Sequence, residues 1–298
     1  MIIGITFLSF LLSYLSPGDP AQILLNNQGV KASEEALQST RHELGLDRPM
    51  IVQYGDWLMD LCKGDMGTSY KSNRPVLSEM TAKIPGTLIL TVTALGVTML
   101  LSIPLGTWCA WYAGGKADRL IQMVTYLFAS LPSFFLALLL MYFLSLKIKL
   151  FPVIGSLSLK GLVMPVLTLA LTLSAWYIRQ VRAIIRKEMQ GSYIDGLRAR
   201  GMSERQILFG HVLRNCRGPL VTLIGISFGS MLGGTTIVES IFSWPGVGKL
   251  AVDAITARDY PVIQVYVVWM AIIYVMVNLV TDIIYHYLDP RIRLQENS

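Results

Sequence analysis

The chain has 298 residues, of which 53% are hydrophobic and only 15% charged, with a net charge of +6. Soluble globular domains carry about 25% charged residues, so much of this surface faces something other than water, and lipid is the solvent that fits. The excess of Lys and Arg then reads as cytoplasmic loops beside anionic lipid rather than as a nucleic-acid footprint. The cysteines (Cys62, Cys109, Cys216) and histidines (His42, His211, His286) are scattered, with no CxxC and no HExxH. That spacing predicts no metal site.

A spanning helix needs about 20 mostly apolar residues. The first apolar stretch, 1–15, is shorter than that. It lacks the basic n-region of a signal peptide, and its Ser-Pro-Gly-Asp-Pro exit is a poor cleavage site. It is read as the first transmembrane helix, within 1–16, clipped at its N-terminal end. Residues 17–85 are polar enough for a small folded module, with Ser33-Glu34-Glu35 as a helix-capping start. Five long apolar stretches follow in 86–298, at 87–113, 121–146, 162–184, 220–242 and 262–285. The expected fold is all-α, a polytopic membrane bundle of about six transmembrane helices with a small extracytoplasmic module after the first.

The basic residues crowd the connection between the fourth and fifth spans, around 185–218, where Arg179, Arg182, Arg186, Lys187, Arg198, Arg200, Arg205, Arg214 and Arg217 outnumber Glu188, Asp195 and Glu204. The positive-inside rule places this loop in the cytoplasm. Alternation then puts 114–120 and the C-terminal tail inside, and 17–85, 147–160 and 243–261 outside. Within the loop, 193–199 suits a short helix that Gly201 can end, and Ser203 can cap a second helix from Glu204. Ile207, Leu208, Val212 and Leu213 would form its apolar face, with Arg205 and Arg214 pointing away. Such a helix–Gly–helix element either docks a soluble partner or lies in the headgroups; composition alone leaves both open.

Within the 220–242 stretch, Gly229, Ser230, Gly233 and Gly234 would let the helix pack closely on a neighbour. Trp244, Pro245, Gly246 and Gly248 suggest a tight re-entrant turn, an outer-gate candidate beside the translocation path. Glu239 is the acid nearest the outer boundary, suited to substrate contact or to a structural or gating hydrogen bond. Met231 and Met270 read as packing. The spans lack the paired midplane charges of an ion-driven secondary transporter. They also lack any convergent acid, base or nucleophile of a membrane enzyme.

Several short motifs recur in one order: Pro17-Gly18-Asp19-Pro20, Leu44-Gly45-Leu46-Asp47-Arg48-Pro49, Gln53-Tyr54 with Trp57, and Gly64-Asp65-Met66-Gly67. They continue with Leu197-Arg198-Ala199-Arg200-Gly201, Leu213-Arg214-Asn215 before Pro219, and Leu288-Asp289-Pro290-Arg291. In this order the chain resembles the inner-membrane permeases of bacterial ABC importers, in the dipeptide, oligopeptide and nickel family. The resemblance implies a type I importer permease, multi-pass in the inner membrane. It also implies a coupling loop carried by Asp195, Leu197, Arg198, Ala199, Arg200, Gly201 and Arg214. Leu-Arg-Ala stands where the family motif has Glu-Ala-Ala. The implied partners are a second homologous permease, two ATPase subunits that hold ATP and Mg, and an extracytoplasmic substrate-binding protein. This chain has no GxxxxGK[ST] phosphate loop and is expected to bind no cofactor. Residues 257–264 and the Gln53-Tyr54-Gly55-Asp56-Trp57 stretch resemble nickel permeases more than peptide permeases. The implied cargo is therefore nickel, carried as a chelate, with a dipeptide or oligopeptide as the alternative.

Overall fold

The computed structural model describes residues 2–27 and 33–288. The expected closing motif at 288–291 therefore lies outside the described residues beyond Leu288. Among the described residues the fold is helical throughout, its one extended pairing being the isolated bridge between Thr68 and Pro75. Helices α1 (Ile2–Leu15), α2 (Pro20–Asn27), α3 (Glu34–Glu43) and α4 (Met50–Cys62) come first. The long α5 (Val76–Trp111), α6 (Lys116–Ser130), α7 (Ser133–Leu140) and α8 (Leu159–Met189) follow. Then come α9 (Ser192–Ala199), α10 (Glu204–Gln206), α11 (Leu213–Asn215), α12 (Arg217–Ile241), α13 (Val247–Ala257) and α14 (Tyr260–Leu288). Short π-helical stretches, Met141–Lys147 and Ile207–Val212, continue α7 and join α10 to α11.

Helices α5, α8 and α14 are each long and apolar enough to cross a membrane. At 25 residues α12 also has the length for it. The stretch 121–146, expected as one span, is broken into α6 and α7, which meet at 99°. Pro132 explains the break. Its ring disfavours helical backbone at the preceding residue, and Leu131 accordingly sits at φ −84°, ψ 126°. Pro132 then opens α7 in extended backbone of its own.

The chain divides into two compact units. The first unites Met1–Thr87 with Pro245–Ile273. In it α4 packs on α1 through Phe7, Phe10, Tyr54 and Trp57, and Tyr54 Oη lies 3.0 Å from Thr6 Oγ1. Helix α3 starts as its sequence suggests, with Ser33 Oγ accepting from the Ala36 amide. Val76 and Met80 of α5 are buried with Val247 and Ala254 of α13 and with Val262 and Val265 of α14.

The second unit holds Leu88–Trp244 and the chain from Tyr274. Helix α8 runs between its two buried clusters. At one end Met164, Val166 and Leu169 pack with Leu90, Ala137, Val238, Phe242 and Trp244. At the other end Val181 and Ile185 pack with Ala110, Ile194, Ile207, Leu208 and Val212. The turn before α6 and the basic loop thus share one end of α8. The loop leading into α8 lies at the opposite end, where the Gly155 amide donates to the Phe242 carbonyl at 2.6 Å.

Candidate functional site

The basic loop is an ordered helix–turn–helix. Helix α9 ends where Gly201 adopts φ +79°, in the left-handed region that a side chain would strain. Ser203 and Gln206 then form a reciprocal capping box at the start of α10. Ile194, Ile207, Leu208 and Val212 are buried, and Leu213 is half-buried beside them. Arg205 and Arg214 are exposed, as the apolar spacing predicts. Sequence reading missed that 207–212 is wound as π-helix, a rare geometry that concentrates at functional positions. Capping signals locate a helix end and carry no information about such a local widening.

Polar contacts fix this loop from both sides. Tyr193 Oη donates to Glu188 Oε1 at 2.7 Å, and Asn215 Nδ2 donates to the same oxygen at 2.9 Å. Partial burial and then that carboxylate push the Tyr193 phenol up to about 12, so it remains a donor throughout the physiological range. Arg198 donates to Glu204 through Nε and Nη2 (2.7 and 3.2 Å) and to Asp195 through Nη1 at 3.2 Å. The hydrogen-bonded Arg198 guanidinium holds the Glu204 carboxyl below its ordinary value. With Ile194 turned inward, the outer face of α9 presents Asp195, Gly196, Ala199 and Arg200, all exposed. The result is a shallow surface of small residues edged by charge. Leu197 is half-buried behind it.

The other expected residues do not fall in one compact unit. Gly233, Gly234, Glu239 and Trp244 belong to the second unit, and Pro245, Gly246 and Gly248 to the first. Glu239 and Trp244 have no exposed surface, and the Trp244 amide donates to the Glu239 carbonyl at 2.8 Å. The turn is present, but its left-handed residue is Ser243 at φ +50°, not a glycine. Gly246 opens α13 in extended backbone, and the Val247 amide donates to Thr87 Oγ1 at 2.8 Å. Gly246 and Gly248 are buried.

Close helix packing occurs at Gly225, which sequence reading missed. A Cβ there would lie within 2.2 Å of Thr281, whereas Gly229 makes ordinary contact with Tyr274 and Gly233 faces open space. The four-residue spacing 225–229–233 was the signal available. Met231 is buried in the apolar cluster. Among the described residues, no three His, Cys, Asp or Glu side chains gather as a metal site.

Arg258-Asp259-Tyr260 has a structural occupation. The buried Asp259 carboxylate accepts from Ser69 Oγ, from the Tyr70 amide at 3.1 Å and from the Lys71 amide at 3.3 Å. Arg258 Nη1 donates to the Pro17 carbonyl at 2.8 Å, and Tyr260 Oη lies 3.2 Å from Ser16 Oγ. In the Gln53–Trp57 stretch, Gln53 donates to the Leu46 and Arg48 carbonyls and Asp56 accepts from Arg48. Both stretches expected to distinguish nickel from peptide permeases hold the first unit together.

Comparison with known proteins agrees with the architecture. The model of the family described as "Binding-protein-dependent transport system inner membrane component" matches residues 102–294. Its N-terminal companion, "Binding-prot-dependent transport system membrane comp, N-term", matches 1–91. The chain is 35% identical to the "Probable peptide ABC transporter permease protein y4tP" of Sinorhizobium fredii, over 95% of this chain and 92% of that protein. It is also 35% identical to the glutathione transport system permease protein GsiC of Salmonella typhimurium, over 97% and 94%. Identity to the nickel import system permease protein NikB of Staphylococcus aureus is again 35%, over 98% and 88%. In fold it is similar to an inward-facing MetNI methionine ABC transporter chain, with a TM-score of 0.62 at 17% identity, covering 71% of this chain and 96% of that one. Two matching family models, with full-length relatives at this identity, show that the chain belongs to the binding-protein-dependent transport system inner membrane components, the permease subunits of ABC importers.

Proposed function

We propose that the chain works as one half of a type I importer's translocation path and that its 191–217 loop seats a partner ATPase. The exposed face of Asp195, Gly196, Ala199 and Arg200 carries this reading. Small side chains let another protein's backbone approach closely, while Ile194, Ile207, Leu208 and Val212 anchor the loop rigidly to α8. A headgroup-bound helix pair would instead turn its apolar residues toward lipid, and here most of them are buried in the protein.

Two such ATPases would close on ATP, draw the loops together and open the path outward, and hydrolysis would reset it. A second homologous permease supplies the other half, and an extracytoplasmic binding protein delivers the cargo. In this reading 17–85 forms the external module and 86–298 the core. Glu239 and Trp244 serve the outer closure.

The cargo is read as nickel in a chelate, its ligands travelling with the ion. The identity to a nickel import permease, as high as to the others, supports this reading. The second reading, a peptide-sized solute without metal, is favoured by the equal identity to the peptide and glutathione permeases. Radioactive nickel uptake with and without added chelators, set against labelled dipeptide, separates them in cells with and without this gene. Gene-dependent nickel uptake indifferent to excess dipeptide supports the chelate, and gene-dependent dipeptide uptake replaces it.

The docking reading has its own test. Gly201→Asp forces a side chain into left-handed backbone, at a cost of about 1 kcal/mol locally, and adds a carboxylate at the docking face. The variant is expected to insert and assemble in the membrane, yet to lose at least about tenfold in uptake per ATP hydrolysed, a loss of about 1.4 kcal/mol in coupling. Unchanged uptake in this variant would remove the coupling role from the loop.

A further inference from the structure

The turn between α5 and α6 is tied to α8 by an ion pair, half-buried at Arg182 and buried at Asp118, that the docking loop does not explain. Arg182 donates from Nε to Asp118 Oδ1 at 2.9 Å and from Nη2 to Oδ2 at 2.8 Å. The Gly114 amide donates to the same Oδ2 at 2.8 Å. The Asp118 side chain is only 4% exposed. Gly114 turns the chain at φ +83°, and its carbonyl accepts from Nε and Nη2 of Arg119. One residue before Arg182, the backbone of α5 closes on α8. A Cβ added at Gly106 would fall 2.7 Å from Val181 Cβ and 2.9 Å from the Ile178 carbonyl. Three elements are thus joined within about two turns of the point where α8 enters the basic loop.

A partly buried ion pair adds little net stability, because desolvation on one side and solvent screening on the other offset most of its attraction. Its value lies in fixing geometry, and a bidentate Arg–carboxylate fork fixes both distance and orientation. A loose apolar contact would let α6 slide along α8, whereas this fork does not. Helix α6 is also the arm that leads into the Pro132 bend and α7.

We propose that Asp118 and Arg182 are positioning residues that make α6 move with α8, so that displacement of the basic loop reaches the bent α6–α7 helix. The proposal rests on reading the 191–217 loop as the ATPase seat, and the experiment separates the two claims.

The complete importer is reconstituted with Cys62→Ser, which removes the exposed cysteine. An environment-sensitive fluorophore is attached at Phe209→Cys in the loop, outside the docking face, or at Met123→Cys in α6, both exposed positions. Trapping with ATP and vanadate should shift emission at both sites in the parent. In Asp118→Asn the shift at Phe209→Cys should persist while that at Met123→Cys is lost. The charge-exchanged Asp118→Arg/Arg182→Asp pair should restore it. If Asp118→Asn does not assemble, Arg182→Lys keeps the charge without the fork and should show the same selective loss. Melting temperature, followed in parallel, reports any general weakening, which would reduce both shifts together. A full shift at Met123→Cys in Asp118→Asn or Arg182→Lys overturns the strut. Absence of any shift at Phe209→Cys in the parent overturns the docking reading beneath it.

Discussion

Truncating Trp244 to alanine is expected to destabilise the folded chain by about 3–5 kcal/mol, the usual cost of removing a fully buried aromatic. Trp244 has no exposed surface and packs in the cluster with Phe242, Met164 and Val238. Its ring also lies against Gly155, where an added Cβ would come within 3.1 Å of both Trp244 Cε3 and the Phe242 carbonyl. The loss should appear as a lower melting temperature of the purified assembly, and Trp244→Phe should recover most of it. A normal melting temperature combined with solute leak through Trp244→Ala vesicles would mean that the ring closes the path without holding up the core.

Removing the Asp259 carboxylate is expected to release the turn at 69–71, at a cost on the order of 3 kcal/mol. The buried carboxylate accepts from one hydroxyl and two amides, and alanine leaves all three donors unpaired. Because the break is local, the expected signature in Asp259→Ala is rapid proteolysis and faster amide exchange across 65–75, with α8 protection unchanged. Asp259→Asn keeps an acceptor oxygen and should lie between Asp259→Ala and the parent. Parent-like protection of 65–75 in Asp259→Ala would show that the turn is held by its own contacts, such as the Ser69 amide to the Arg74 carbonyl.

These two residues also mark where sequence reading ends. Gly201, Ser203 and the Ile207–Val212 face were legible because a cap, a left-handed turn and a helix period are local and leave fixed spacings. Hydropathy located the long apolar segments, but averaging over a window hid the break at Leu131-Pro132, although Pro132 itself was the signal. Asp118 and Arg182 are 64 residues apart, and Ser69 and Asp259 are 190 apart. Nothing in the chemistry of either partner announces the other at such separations. Arg258-Asp259-Tyr260 and Gln53–Trp57 were read as a hint of cargo because they recur as motifs. Their hydrogen bonds show them joining helices and turns within one unit.

The central claim is that the Gly191–Arg217 loop is where ATP-driven motion enters this chain. Site-specific photocross-linking tests it most directly, with a benzophenone side chain at Ala199 and, as a control, at the exposed Asp47 of the 17–85 segment. In membranes containing the whole importer, Ala199 should give a covalent adduct with the ATPase subunit, and Asp47 should give none. An ATPase that copurifies with the chain yet never cross-links from Ala199 would contradict the account and place the coupling surface elsewhere.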